Sequence, residues 1–494
     1  MFDMTTTRTN RSLTTLIGLA TCLGLGAQAR AQDVAITNAR VIDSKGAELK
    51  DATILVKDGR IVEIGPKVKV PYDATEIDAK GKVVFPGMVL ADTSEGMDRA
   101  NESVPVGPYL NVLDSIDPSR LFFEESLREG HTTLHVIQGE DAVVTGLGRV
   151  LHPIGMTVSE MTVRGETALR IVTAGKRGFD RVKQRALLRE TFAELTDYVE
   201  GVAEKRYAEE EKKEQREVTV PPAKARELGM KLLRPGDLDD KHRNLWLLTQ
   251  GKLDAFVSVP RAQDAAFAVQ LAEENGFLAR TTFVLGTEAH KAVAVFKAAK
   301  RPVILDGTLY HRQRDPLTGE EEETFVPAVF AAAKIPFALL PDARGIGGRY
   351  LWYQAARCVR EGVDRATALQ AITSVPAAIL GLGERKGEIA KGRDADLLIL
   401  SGDPLEITTT VEQVLIGGRV VYERAKDYRL RMLNSGAQDD DKTSDEDKKS
   451  DDDKKSDDDK TSDGDKTSDD DKTSDDDKTS DDEKGDKSDE QGGK

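Results

Sequence analysis

Six histidines are the side chains of this 494-residue chain with the most obvious capacity to hold a metal ion or to move a proton. They are His131, His135, His152, His242, His290 and His311. Neutral imidazole nitrogen is a favoured ligand of zinc and similar cations. His135 lies on a predicted strand and His152 follows a turn, and they are the pair that can point into a shared site. Isolated histidines are more often hydrogen-bonded structural residues, and we expect His242 and His290 at the surface.

The elements that position these histidines alternate short apolar runs with helical patterns. The predicted buried parallel strands are Val83–Leu90, Thr132–Ile137, Ala255–Val259, Thr282–Leu285, Val303–Leu305 and Phe337–Leu340. Amphipathic stretches at Ala265–Glu274 and Val326–Ala333 lie between them. About 300 residues of this alternation fit an α/β fold, a (β/α)8 TIM-type barrel with insertions, better than an open sheet, which composition alone leaves open.

One insertion carries a long helical pattern. Apolar residues recur every three or four positions in a highly charged stretch, at Leu188, Phe192, Leu195, Val199 and Val202. This spacing predicts one apolar stripe on a long helix that ends before Pro221. We expect the stripe to pack on the barrel rather than to bind a ligand.

Both ends of the folded region are rich in predicted strands. Val34–Ile42, Ala52–Val56 and Arg60–Ile64 are strand-like, and Asp58-Gly59 marks a tight hairpin turn between the last two. Near the other end, Val411–Ile416 meets Arg419–Tyr422 across Gly417-Gly418. We therefore predict one small composite β-sandwich, built from residues 32–85 and 385–430, beside a barrel of residues 86–384.

The segment 1–31 reads as a cleaved secretory signal peptide. Arg8 and Arg11 precede an apolar run, and small residues follow at Ala27, Ala29 and Ala31. The run is short and contains glycines, so no membrane span is predicted, and a lipoprotein site at Cys22 is the less favoured alternative. We expect a periplasmic or secreted protein. Loss of Cys22 would leave a single cysteine, which allows no intrachain disulfide.

The tail 439–494 has no apolar side chain and holds 26 acidic and 12 basic residues, a net charge of −14. It repeats with a period of six and cannot build a core, so we predict a disordered extension that favours solubility. Weak binding of divalent cations or of a cationic surface is the alternative. The full chain has a formal charge of −16, so the body is almost neutral. A nucleic-acid binder is not expected.

Several segments resemble the amidohydrolase superfamily, and its secreted imidazolonepropionase-like and prolidase-like members most of all. They are ITNARVIDSKG, ILVKDGRIVEIG, DAKGKVVFPGMVLAD and the closing block ALQAITSVPAAILGLGERKGEIAKGRDADLLILSGDPL with VLIGGRVVY. The resemblance covers nearly all of residues 36–422. It implies a metal-dependent barrel hydrolase of amide and other C–N bonds, in which the metal acidifies a bound water and an Asp after the last strand handles the proton.

The sequence departs from this family at most metal-ligand positions. The resemblance implies a His-x-His pair where this chain has Asp92 and Ser94, and single histidines where it has Ser258 and Leu285. The acid after the last strand is retained as Asp342, which is the one catalytic candidate, although it can equally cap the Gly-rich turn that follows. We therefore expect no resident cofactor, and zinc or another divalent metal only if the protein is active.

Two hypotheses of different class follow, and whether the protein is an enzyme stays open between them. The first is a catalytically impaired relative that binds a small amide or peptide ligand or acts as a partner subunit, either as a homo-oligomer or with an active amidohydrolase paralogue. The second is an active amidohydrolase with an atypical metal site. That site would use Asp92, His135 and Asp342, with His152 as a further candidate.

Overall fold

The computed structural model describes residues 33–175, 180–342, 348–433 and 435 of the chain. The predicted signal peptide and the acidic tail lie outside the described residues. Residues up to Leu430 belong to one compact unit, and the few described residues after it are helical.

The strands, in chain order, are β1 Val34–Ile42, β2 Glu48–Lys57, β3 Arg60–Gly65, β4 Thr75–Asp78, β5 Val83–Pro86, β6 Met88–Thr93, β7 His131–Val136, β8 Val144–Leu147, β9 Arg149–Leu151, β10 Thr162–Arg164, β11 Ala168–Val172, β12 Asp254–Val259, β13 Thr281–Leu285, β14 Val303–Leu305, β15 Tyr310–Arg314, β16 Glu321–Phe325, β17 Phe337–Leu339, β18 Leu397–Leu400, β19 Val411–Ile416 and β20 Arg419–Glu423. The helices are α1 Leu121–Arg128, α2 Val158–Met161, α3 Arg181–Lys213, α4 Pro222–Leu232, α5 Asp240–Thr249, α6 Ala265–Glu274, α7 Val293–Ala299, α8 Val326–Ala333, α9 Leu351–Arg360, α10 Arg365–Gln370 and α11 Ser374–Ile379.

Strands from both ends of the folded region form one eight-stranded sheet. Its order is β20-β19-β18-β5-β1-β2-β3, and β4 also pairs with β1. The predicted hairpin turn between β2 and β3 is confirmed, since Asp58 and Gly59 both have positive φ, 50° and 78°. Strands from the two ends therefore meet in one continuous hydrogen-bonded sheet.

The middle of the chain holds two larger sheets and the two-stranded sheet β15-β16. One has the order β10-β9-β7-β6, and the other β17-β14-β13-β12-β11-β8. β6 pairs parallel with β7, and β11, β12, β13, β14 and β17 pair parallel in succession. β9 and β8, however, run antiparallel to β7 and β11. The predicted barrel of eight parallel strands is thus corrected. The middle strands pair in both parallel and antiparallel directions, in an α/β arrangement that is consistent with a barrel-like fold.

The two middle sheets are connected at both edges. β8 and β9 are separated by Gly148 alone, which exchanges backbone hydrogen bonds with Thr167 and Ala168. At the other edge, the amide of Val89 in β6 donates to the carbonyl of Ile372, and that of Leu339 in β17 donates to Ala371. The segment Ala371–Ile372 therefore bridges the outermost strands of the two sheets.

Alternation along the middle strands separates an inner cluster from an outer one. Val89, Ala168, Phe256, Val284 and Ile304 belong to the inner cluster. Their sequence neighbours Leu90, Leu169, Val257, Leu285 and Leu305 pack in the outer cluster, together with apolar residues of the surrounding helices. Because successive side chains of a strand point to opposite faces, this division fixes which residues can face the space between the strands.

The predicted long helix is confirmed as α3, which spans 33 residues. Leu188, Phe192, Leu195 and Val199 are buried in the large core cluster, and Val202 packs partly against it. α4 approaches α3 so closely at Gly229 that a Cβ there would meet the carbonyl oxygen of Ala203. Among the described helices, none is long and apolar enough to cross a membrane.

Candidate functional site

A cavity of about 990 Å³ opens at the carboxyl ends of the parallel middle strands. The residues that line it at these strand ends include Asp92, Ser94, Arg170, Ser258, Val284, Leu285, Gly286, Asp306, Leu340 and Pro341. Carboxyl ends of parallel strands are where side chains from distant parts of a chain converge, and a cavity of this size suits a small-molecule ligand.

A buried ion network lies in this cavity. Nη2 of Arg170 in β11 donates to Oδ1 of Asp92 in β6, and Nη1 lies 3.5 Å from Oε1 of Glu140. The hydroxyl of Ser258 in β12 donates to the same Glu140 oxygen at 2.5 Å. Arg170 is 4% exposed and Asp92 7% exposed. One guanidinium therefore connects two carboxylates from separate parts of the chain.

Irregularities in the strands bring these groups together. The register of β6 on β7 shifts between Leu90 and Thr93, and such a bulge re-aims the side chains within it. Asp92 lies inside this bulge. The register of β11 on β8 shifts at Arg170, whose amide donates to the hydroxyl of Thr145. Asp92 and Arg170 thus both lie where the regular pairing of their strands is interrupted.

Burial controls the electrostatics of Asp92. Loss of water around the carboxyl raises its pKa above the ordinary value, and the neighbouring Glu140 charge raises it further. The charge and hydrogen bond of Arg170 oppose this rise in pKa. The guanidinium is thus the group that favours the ionised form of a carboxylate that burial would otherwise neutralise.

The donor groups at the expected ligand positions do not fit a catalytic divalent metal. The Asp92 carboxylate binds a permanently charged guanidinium, and the Ser258 hydroxyl donates to Glu140. Across the described ranges, no group of three or more His, Cys, Asp or Glu side chains is placed to hold a metal ion. A cation would have to displace the guanidinium of Arg170 before it could reach Asp92.

Leu285, the expected ligand position in β13, lines the cavity beside its neighbour Val284. Leu285 packs in the outer cluster, whereas Val284 belongs to the inner cluster. Alternation along the strand therefore points Val284 inward, and neither side chain has a donor atom for a metal. The assignment of Leu285 stays a prediction, because an apolar run gives no sign of which residue takes the ligand position.

The candidate ligand His135 has both ring nitrogens engaged elsewhere. Nδ1 lies 2.9 Å from the carbonyl oxygen of Ala91, and Nε2 lies 2.8 Å from the hydroxyl of Thr167. The ring is fully buried against Phe256, and burial lowers its pKa to about 3. His135 is therefore a neutral structural residue of the inner cluster, and its assignment as a metal ligand was wrong.

The further candidate His152 is also committed to other partners. Its Nδ1 lies 2.7 Å from the carbonyl oxygen of Thr132, and its Nε2 lies 3.4 Å from Nζ of Lys386. Lys386 in turn binds Asp396 and Asp394, next to the terminal sheet. The atypical site of Asp92, His135, His152 and Asp342 does not assemble.

Asp342 lies at the margin of the cavity. It follows Pro341, which lines the cavity, and its amide donates to the carbonyl of Gly348 at 2.7 Å. Ser94 lines the cavity two residues beyond Asp92. The structure thus brings Asp92, Ser94 and Ser258 to one cavity, with Asp342 beside it. The catalytic role of Asp342 stays a prediction.

Two histidines differ from their expected surroundings. His242, expected at the surface, is 6% exposed, lies 2.7 Å from Asp239 and stacks on Tyr198. His131 lines the part of the cavity beside Glu129 and Arg349 and is 2% exposed. Neither of its ring nitrogens has a hydrogen-bond partner among the described residues, and burial lowers its pKa to about 4.

The sequence reasoning missed Arg170 and Glu140. Arg170 stands in the run ALRIV, a strand-like segment that the strand predictions omitted. A single cation between branched apolar residues of a buried strand requires a buried partner. The position of Arg170 in this run was therefore the feature from which its role could have been predicted. Glu140 lies in the connection after β7, where nothing in the local sequence distinguishes it from a solvated loop acid.

Comparisons with known proteins agree with this architecture. The model of an amidohydrolase family matches residues 347–422. In solved structures, an amidohydrolase from Thermotoga maritima MSB8 superposes with a TM-score of 0.65 and 26% sequence identity, over 79% of this chain and all of that one. The chain thus matches an amidohydrolase family model over residues 347–422 and is similar to a solved amidohydrolase over most of its length.

Curated relatives match over a short segment. A 5'-deoxyadenosine deaminase of Methanosarcina mazei is 45% identical over 67 residues, which is 13% of this chain and 15% of the deaminase. An imidazolonepropionase of Thermoplasma volcanium is 41% identical over 69 residues, 13% of this chain and 17% of that enzyme. The chain thus aligns with about one sixth of the length of these relatives.

Proposed function

We propose that this protein is an exported, ligand-binding member of the amidohydrolase superfamily in which the guanidinium of Arg170 takes the place of a catalytic metal ion. The observation that carries the proposal is the contact of Arg170 with both Asp92 and Glu140 in the cavity. Superfamily membership points to amide or related C–N compounds as ligands, so we infer a small amide or peptide that is bound without hydrolysis.

The chemistry of a guanidinium supports binding over hydrolysis. Arg stays protonated at any pH at which the protein folds, and it has no open coordination position for water. It therefore cannot acidify a water molecule as a bound metal does. It can orient carboxylates and donate hydrogen bonds to a ligand carbonyl, which favours recognition of an amide without activating a nucleophile.

We also propose a two-part body, with residues 86–384 as a barrel beside the terminal sheet of residues 32–85 and 385–430. The support is the connection of the two middle sheets through Gly148 and through Ala371–Ile372. In such a barrel, β8 and β9 would together fill the one position that is not a parallel strand.

Ligand binding is tested with the full mature chain and a panel of N-acyl amino acids and dipeptides. Thermal-shift measurements identify binders, and mass spectrometry of the incubated mixture, with and without added Zn²⁺, Mn²⁺ or Co²⁺, detects hydrolysis. We expect at least one compound to raise the melting temperature and to be recovered intact. Metal-dependent cleavage of the ligand by the native protein would overturn the proposal.

Export is tested separately. Because a basic segment and an apolar run precede Ala27, Ala29 and Ala31, the mature chain should begin between Arg30 and Asp33. Intact-mass and amino-terminal analysis of the protein recovered from outside the cytoplasm checks this. A retained Met1, or a lipid on Cys22, would contradict it.

A further inference from the structure

A second pair of candidate metal ligands lies at the same end of the strands as the cavity. His290 stands in the turn that follows β13, and His311 is the second residue of β15. Their ring centroids are 5.0 Å apart, and the ring planes are inclined by 53°. Two imidazoles that bind one tetrahedral zinc ion, at Zn–N distances of about 2.0–2.1 Å, also have centroids about 5 Å apart. The spacing of the rings thus suits a shared ion.

Thr287 contacts both rings, in each case at the Nδ1 atom. Nδ1 of His290 donates to the carbonyl oxygen of Thr287 at 2.7 Å, and Nδ1 of His311 lies 3.4 Å from the hydroxyl of Thr287. A hydrogen bond from Nδ1 places the lone pair on Nε2, and ligating histidines commonly have such an outer partner. Nε2 of His311 is buried and has no hydrogen-bond partner among the described residues.

The surroundings of His311 favour a neutral ring. Burial, the Lys291 ammonium and the neighbouring His290 ring all lower the pKa of His311, whereas Glu288 and a side-chain hydrogen bond with Gln313 oppose this. A neutral imidazole is the form that binds a metal. Glu288 lies near enough to offset part of an added positive charge. Imidazole ligands select Zn²⁺, Ni²⁺ or Cu²⁺ over Mg²⁺ and Ca²⁺.

We propose that His290 and His311 form a two-imidazole site for a divalent transition-metal ion, with water completing the coordination. The site is separate from Asp92 and Arg170, and it does not depend on the function proposed for the cavity. The protein supplies two ligands, so the bound ion stays exchangeable and has open positions for a further ligand.

The test uses the full mature chain in excess Mg²⁺, which occupies the oxygen ligands of the acidic tail without competing for imidazole. Zn²⁺ is titrated calorimetrically, and Cu²⁺ is added for electron paramagnetic resonance. We expect one Zn²⁺ per chain, and a Cu²⁺ spectrum with coupling to two nitrogens. His290→Ala and His311→Ala should each lower Zn²⁺ affinity at least tenfold.

Matched controls make the result decisive. Arg314→Ala, three residues after His311 on the same strand, should keep the native Zn²⁺ affinity and the nitrogen coupling, because its side chain donates to the carbonyl of Gly319 instead. Circular dichroism checks that each variant is folded, and His311→Gln replaces His311→Ala if the alanine variant is not. Unchanged Zn²⁺ affinity in the folded double variant, or a native Cu²⁺ spectrum with oxygen ligands only, would overturn the proposal.

Discussion

Arg170 and Asp92 form a buried ion pair between β11 and β6, although they are 78 positions apart in the sequence. Glu140 lies on the other side of the same guanidinium and accepts the hydroxyl hydrogen of Ser258. The cavity of this protein is therefore organised around a side-chain cation. We propose that the stability of the cavity and its ligand chemistry both depend on that one residue.

Arg170→Met should destabilise the fold by about 3–5 kcal/mol, because it leaves the Asp92 and Glu140 carboxylates without their buried cation. Urea unfolding measures the loss. The control is Arg312→Met, which breaks an exposed ion pair with Glu323 and should change stability by less than about 0.5 kcal/mol. Adding Asp92→Leu to Arg170→Met should recover part of the loss, since it removes one unpaired charge. Equal stability of native protein and Arg170→Met would contradict the network.

Much of the fold could be predicted because its signals are local. Val34–Ile42, Val303–Leu305 and Val411–Ile416 are apolar or alternating runs between turn residues, and each was predicted with its observed bounds. β8 and β9 were missed, since VTGL and RVL are too short to show a period. Their antiparallel direction depends on pairing with β11 and β7, which a local pattern does not record.

The site could be predicted only in part for a similar reason. Asp92, Ser94 and Ser258 were found from the resemblance, because the family pattern fixes their place on strand ends. Arg170 was missed, because its importance arises from the meeting of three distant segments rather than from its neighbours in sequence. His135 was misread as a ligand, since its hydrogen bonds to Ala91 and Thr167 form only in the folded chain.

His131 and His135 should make stability fall as the pH drops below about 6.5. Burial lowers their pKa values in the folded protein to about 4 and about 3, whereas an unfolded histidine titrates near about 6.5. Between these values the unfolded chain binds more protons, so each ring contributes stability above pH ~6.5 that is lost as the pH falls. Urea unfolding at a series of pH values measures this slope.

The two histidines should differ at neutral pH. His131→Leu removes two buried nitrogens that have no hydrogen-bond partner in the described part of the chain, so stability at pH ~7 should stay the same or rise by about 1 kcal/mol. His135→Leu removes hydrogen bonds to Ala91 and Thr167 and should cost about 1–3 kcal/mol. Each variant should show a shallower acid slope than native protein. A steep loss of stability in His131→Leu at neutral pH would show that its ring has a partner.

Truncation after Gln438 should leave the melting temperature unchanged within error. Residues 439–494 have no apolar side chain to bury, and their net charge of −14 gives mainly repulsion. Differential scanning calorimetry of the full and the shortened chain measures the difference at low and at moderate salt. A drop of several degrees would show that the tail stabilises the body.

Histidines placed at the inward strand ends should create a zinc site that the native cavity lacks. The starting variant is Asp92→His with Ser258→His and Arg170→Met, because the guanidinium would repel a metal cation. Adding Val284→His supplies a third imidazole from the inner cluster, and Zn²⁺ affinity should rise at least tenfold over the starting variant.

The matched control is Leu285→His in the same background. That residue packs in the outer cluster, so it should add no affinity and should destabilise the fold by placing an imidazole among apolar side chains. Isothermal titration with Zn²⁺ compares the metal affinity of the Val284→His and Leu285→His variants, and urea unfolding compares their stability. An equal gain from Leu285→His would reverse the assigned register of β13. We expect metal binding to improve before any amide hydrolysis, because metal-bound imidazoles also need outer hydrogen-bond partners that orient them, and these substitutions supply none.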